Sequence, residues 1–269
     1  MQTQLKLTVL AAAMLLSTTA MATAVDITNV SASWSNAIAS ASGAGAPLTF
    51  AGGTLNPYAR WGVAAGGSGQ SGYNFGAVAN PFNASVTPGD SSALFALGTF
   101  AHVNQPVTGS SITSIDLLYQ ADIIVNGTPV ATNPLNFDFV FNHNETPNGD
   151  NPCANGAPNN VPLSVNASGC ADHVQTAFSG VSDTFFINGA NYTLNILGFG
   201  YLDASNNLVK TQDFWTAEGA VNTATLYAEI VTTTNPGGTG LTSVPEPSGL
   251  MLMGLGLAAF LGKRRKQHC

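Results

Sequence analysis

A strict two-residue hydrophobic alternation does most to narrow what this chain can fold into. In Leu135-Asn136-Phe137-Asp138-Phe139-Val140-Phe141 a large apolar side chain returns at every second position. A strand turns successive side chains to opposite faces, so Leu135, Phe137, Phe139 and Phe141 share one face of a sheet. A helix would scatter them around its circumference. Thr225 to Thr232 repeats the pattern, with Leu226, Ala228 and Ile230 opposite Tyr227, Glu229 and Val231. Ile112 to Val125 is long enough for a strand pair or one bent strand, and it ends at Asn126-Gly127. Phe185-Phe186-Ile187, Asn188-Gly189 and Tyr192 to Ile196 read as a hairpin whose turn has two residues or slightly more. No helical periodicity interrupts these segments. The expectation is a single all-β domain, an antiparallel sandwich or jelly roll.

Both ends of the chain are of a different kind. Lys6 supplies a positive start, Leu7 to Leu16 an apolar core, and Ala22-Thr23-Ala24 an A-x-A cleavage site. The mature chain is expected to start at Val25, with a cut after Ala22 as the alternative. At the other end stand Val244-Pro245-Glu246-Pro247-Ser248, an uncharged run from Gly249 to Gly262, and Lys263-Arg264-Arg265-Lys266. The apolar run is shorter than the roughly 20 residues that span a bilayer comfortably. The cations behind it would hold that end on the cytoplasmic side. The chain therefore divides into a signal peptide (1–24), a β domain (25–234), a Gly/Thr/Ser linker (235–243) and a terminal segment with a short transmembrane helix (244–269).

This terminal layout resembles the PEP-CTERM sorting signal of Gram-negative bacteria, with Pro245, Glu246 and Pro247 as the motif. The resemblance implies recognition and removal of the tail by an exosortase during export, with transient association with the inner membrane. It also implies delivery to the cell envelope or beyond, and association with exopolysaccharide in biofilm or floc. A second segment, Gly98-Thr99-Phe100-Ala101-His102-Val103-Asn104-Gln105-Pro106, resembles the defining stretch of the THxN group of PEP-CTERM proteins, with Ala101 where the group has Thr. Phe141 to Asn148, Asn166 to Asp172 and Asp213 to Thr216 resemble that group as well. The likeness carries over no catalytic residue.

Removing both ends leaves Arg60 and Lys210 as the cations against thirteen acids, a net charge near −11. Such a surface offers nothing to neutralise nucleic acid or anionic lipid, and leaves cations and neutral glycans as partners. Cys269 lies beyond the basic cluster. Cys153 and Cys170 remain as a pair in an oxidising compartment, where a disulfide across that interval would stabilise by about 3 kcal/mol. The minority reading is a thiol nucleophile or metal pair, although no CxxC spacing supports it.

Ala39 to Gly53 and Gly62 to Gly76 are rich in Gly, Ala and Ser, and read as irregular; so does His143 to Cys170, rich in Asn, Pro and Gly. Chemistry can gather around the last of these. His102 and Asn104 end one strand, His143, Glu145 and Asp150 begin the loop, and Asp172 and His173 follow it. A Cys153–Cys170 bridge would draw the loop's two ends together. Imidazoles with carboxylates suit zinc, whereas carboxylate, amide and backbone oxygens suit calcium; the spacing matches no defined motif. The plainer alternative is that the histidines are hydrogen-bonded at strand ends and the Asn/Asp/Gly residues make turns. Tyr58, Trp61 and Tyr73, in Gly-rich surroundings, are candidates for stacking on sugar rings. The composite expectation is a non-enzymatic structural or adhesive protein of the matrix. The alternative is a secreted polysaccharide hydrolase using Glu145 with Asp172 or Asp138.

Overall fold

The computed structural model describes residues 22–40, 48–182, 184–187, 190–202, 205 and 208–234. Every regular element among them is a strand. In chain order the first are β1 (Thr23–Ala39), β2 (Thr49–Gly53), β3 (Asn56–Trp61), β4 (Val63–Ala64), β5 (Ser71–Ala77) and β6 (Phe82–Val86). There follow β7 (Phe95–Asn104), β8 (Val107–Thr108), β9 (Ile112–Val125), β10 (Thr128–Pro129), β11 (Leu135–Asn144) and β12 (Asp172–Ser182). The last are β13 (Thr184–Ile187), β14 (Ala190–Leu202), β15 (Leu208–Thr211), β16 (Asp213–Thr216) and β17 (Ala220–Thr234).

The strands build a sandwich of two antiparallel sheets. One runs β16-β12-β11-β9-β1-β6, with β10 added beside β9. The other runs β13-β14-β17-β7-β5-β3-β2, with β15 added beside β14. A short β4-β8 ribbon stands apart from both. Alternation sets which face each strand buries. Leu135, Phe137, Phe139 and Phe141 are all buried on one face of β11, and Ile115, Leu117, Tyr119, Ala121 and Ile123 do the same along β9. Aromatic rings close the space between the sheets: Phe100 of β7 stacks on Phe141 of β11 with centroids 5.1 Å apart. Trp34 of β1 meets Tyr73 of β5 at 5.6 Å.

The segment from Ile112 to Val125 is one continuous strand. Asn126 and Gly127 end it with φ of 48° and 77°, the doubly positive pair that a tight hairpin turn requires. Phe185 pairs with Tyr192 and Ile187 with Ala190, antiparallel as the hairpin reading expects, while Asn188-Gly189 lies outside the described residues.

Two segments read as irregular contain strands. β2 lies in the first, and β5, a strand with Ser71, Gly72, Tyr73 and Phe75 buried, lies in the second. Gly72 is there for close approach: a Cβ would collide with the Ala59 carbonyl and the Arg60 side chain. Glycine in that stretch marks tight strand packing, not a loop.

The chain divides into two units between Thr234 and Asn235, and the second lies outside the described residues. So do residues 1–21 and the expected apolar segment at 249–262. No helix among the described residues is long and apolar enough to cross a membrane.

Candidate metal centre

Three strands carry their inward-facing register one step past the apolar core and end on polar side chains. On β7 the phase Phe100, His102, Asn104 keeps all three buried. On β11 the phase Phe137, Phe139, Phe141 continues to His143. On β12 Asp172, Val174 and Thr176 point inward. The strands meet at one end of the sandwich and bring His102, His143 and Asp172 together. One ligand atom from each lies within 4.8 Å of the others, and Glu145, Asp172 and Glu218 form a second such group. His102 and Asp172 are fully buried, and the two imidazole centroids are 5.2 Å apart.

Hydrogen bonding determines which imidazole atoms are free. The Thr216 hydroxyl donates its one proton to the Asp172 carbonyl at 3.2 Å. It must therefore accept from His102 Nδ1, at 2.8 Å. A neutral imidazole has a single N–H, so His102 Nε2 presents a bare lone pair, and it has no partner. Burial, and then the neighbouring His143, push the His102 pKa well below its ordinary value and keep the ring neutral. His143 is held by the Tyr73 hydroxyl at 2.7 Å on Nδ1 and faces Glu145 across 3.3 Å on Nε2.

The acids are under strain of a different sort. Asp172 Oδ1 accepts from the Thr146 N–H at 2.8 Å, while Oδ2 is buried without a donor. Burial first, and then the Glu145 carboxylate, raise Asp172 well above the carboxylate range. The same two causes raise Glu218 to about 7. Neither Glu218 oxygen makes a well-formed hydrogen bond, although the Asn104 and Asn148 amides lie near enough to temper its charge. Asn104 donates to the Thr216 carbonyl at 3.0 Å, and its own Oδ1 is buried without a donor. Glu145 sits at the mouth, its side chain 26% exposed, and accepts from Ser111 Oγ at 2.9 Å.

The stapled loop closes over this end. Cys153 and Cys170 form a disulfide with Cα atoms 5.2 Å apart. Asn155 and Asn166 exchange two amide hydrogen bonds of 3.0 Å, and Thr146 Oγ1 bonds the carbonyls of Cys170 and Ala171. The loop's asparagines thus satisfy backbone and one another, as turn-forming residues do.

Of the residues singled out in the sequence, His102, His143, Glu145 and Asp172 converge. Asp150 does not: it is exposed on the loop and belongs to neither group. His173, one residue out of phase with Asp172, lies on the outer face, where it stacks on Trp215 at 4.2 Å and bonds Asp213 at 2.8 Å. Glu218 was missed. It sits in the turn between β16 and β17, where no periodicity marks a residue as inward-facing. Asp138 lies out of phase with the buried residues of β11.

The aromatic candidates need correcting. Trp61 and Tyr73 are buried at 1% and 0% exposure, because they lie in strands β3 and β5 and not in loops. They wall the histidine cluster: Trp61 stacks over His102 at 5.9 Å and meets Tyr73 edge-on at 4.8 Å. Only Tyr58 of the three keeps partial exposure, with the Arg60 guanidinium 4.8 Å from its ring centroid.

No curated protein matches the chain at a significant level. The PEP-CTERM protein-sorting motif matches residues 243–266, so the chain carries the sorting tail of an exported protein processed at the membrane by an exosortase.

Proposed function

We propose that the β domain is a structural, adhesive component of the envelope or extracellular matrix, holding neutral glycan through weak and repeated surface contacts. The observation that carries this reading is an outward-facing ledge on the edge of the first sheet. There Trp215 of β16 lies flat on His173 of β12, at 4.2 Å and 8° between planes. Gln175 and Asp213, both exposed and joined at 2.8 Å, flank it. A half-exposed ring beside amide and carboxylate groups suits the apolar face and hydroxyl rim of a sugar. Tyr58 offers a second partly exposed ring elsewhere. The alternative hydrolase on Glu145 and Asp172 is disfavoured by the burial of Asp172, which a polymer cannot reach.

The test is retention of the mature protein on exopolysaccharide prepared from the producing cells. Trp215→Ala should weaken retention while leaving the melting temperature nearly unchanged, and Tyr58→Ala should weaken it further. Equal retention of wild type and both variants would overturn the reading, as would release of reducing sugar abolished by Glu145→Gln.

A further inference from the structure

We infer that the end of the sandwich binds one divalent transition-metal ion of the zinc class, held by His102 Nε2, His143 Nε2 and an Asp172 carboxylate oxygen. This is independent of the glycan ledge, which lies on the other face of β12.

Two independent observations point to a cation. The first is convergence: His102, His143 and Asp172 each place one possible ligand atom within 4.8 Å of those of the other two. Ligands about 2.1 Å from a tetrahedral ion stand about 3.4 Å apart, so modest side-chain rotations complete the shell. The second is a set of buried acceptors that lack donors: His102 Nε2, Asp172 Oδ2 and Asn104 Oδ1. A sealed acceptor without a donor is costly, and several in one place are what a cation would satisfy. The surrounding bonds already have the form that metal sites use. Thr216 fixes the His102 tautomer through Nδ1 and leaves its Nε2 for the ion, while the Tyr73 hydroxyl holds His143 through Nδ1, so that its Nε2 would exchange the 3.3 Å contact with Glu145 for the metal.

Donor chemistry selects the metal. Calcium takes an all-oxygen shell, whereas two imidazole nitrogens with carboxylate oxygen suit zinc and its neighbours. Glu145 and Glu218 can contribute a fourth oxygen or balance the charge. The ligands come from both sheets: His102 from β7, and His143 and Asp172 from β11 and β12. A bound ion would tie the two layers together beneath the disulfide-closed loop. The burial of His102 and Asp172 makes it a closed, structural site.

The experiment uses the intact mature protein. Metal content is measured as purified, and melting is followed after EDTA treatment and then with Zn²⁺ or Ca²⁺ added. The expected result is about one transition-metal ion per chain, a melting temperature lowered by EDTA, and recovery with equimolar Zn²⁺ but not with excess Ca²⁺. His102→Gln should weaken Zn²⁺ binding by about ten-fold or more. If that variant does not fold, Co²⁺ added to the wild-type protein should develop the visible absorption of a low-symmetry site at one equivalent. Melting indifferent to both EDTA and Zn²⁺, recovery with Ca²⁺ alone, or a Co²⁺ spectrum no different from the free ion would overturn the assignment.

Discussion

Replacing both Cys153 and Cys170 with alanine should cost this domain about 3 kcal/mol, and the figure follows from chain geometry. The bridge joins residues 17 apart in sequence. Closing a loop of that length removes about 10 cal/mol/K of entropy from the unfolded chain, or about 3 kcal/mol at room temperature. That is roughly two orders of magnitude in the folding equilibrium. The loop is poorly placed to make up the loss, because amide exchange between Asn155 and Asn166 and turn bonds hold it, with little apolar burial. Net intramolecular hydrogen bonds of that sort contribute about 1 kcal/mol each. The assay is equilibrium unfolding in urea, comparing the oxidised wild type with the double variant. With a slope of about 1–3 kcal/mol/M, the midpoint should fall by about 1–3 M. The slope should also steepen, since the freed chain exposes more surface when unfolded. A loss below about 1 kcal/mol, with the wild-type bridge confirmed by mass, would refute the reasoning. It would mean that the asparagine network orders the loop without the crosslink.

Phe141→Ala should destabilise by about 3–5 kcal/mol in the same assay, since its ring lies among Phe100, Trp34, Tyr73 and Phe199 between the sheets. Gly98→Ala should cost about 1–3 kcal/mol, because the added Cβ would sit 2.5 Å from the Gly76 carbonyl oxygen and the Phe75 ring. Gly53→Ala, where a Cβ meets nothing within 4 Å, should be nearly silent in the same melts. Hydrogen bonds from Gln175 and His173 hold the Asp213 carboxylate below its ordinary pKa. Its contribution is present above the unfolded value near about 4 and lost as pH falls through the folded one. Because the group is exposed, Asp213→Asn should change the acid limb of a melting-temperature profile by less than about 1 kcal/mol. Intact mass of the exported protein should place its first residue at Thr23, not Val25. β1 already pairs at Thr23 with Val86, and Ala24 both donates to Asn126 Oδ1 at 3.0 Å and accepts from the Asn126 N–H at 2.9 Å.

Where burial follows a period of two, the fold was legible residue by residue. β9, β11 and β17 run where the alternation placed them, and Asn126-Gly127 turns the chain as that dipeptide must. Sequence hid the strands whose glycines serve packing. Gly72 sits in β5 because a side chain would strike the neighbouring strand, yet in one dimension it looks like any flexible glycine. Nor did it show the bulges in β1, where Asn29 and Asn36 take positive φ as the register shifts and bond Asp122 and Asp116.

The candidate site divides along the same line. His102, Asn104 and His143 lie in phase with the apolar residues before them, so their inward direction was implicit in the alternation. Sequence alone also determined the sorting tail, because an exosortase signal is read as a linear motif followed by an apolar run and cations, with no folded context required. Tertiary structure alone decided that His102 and His143, from opposite sheets, share one buried pocket with Asp172, and that Glu218 joins it from a turn. It also turned Trp61 and Tyr73 from surface candidates into walls of that pocket. The physical reason is that alternation specifies a face within one strand, whereas which faces meet depends on how the two sheets stack across the core.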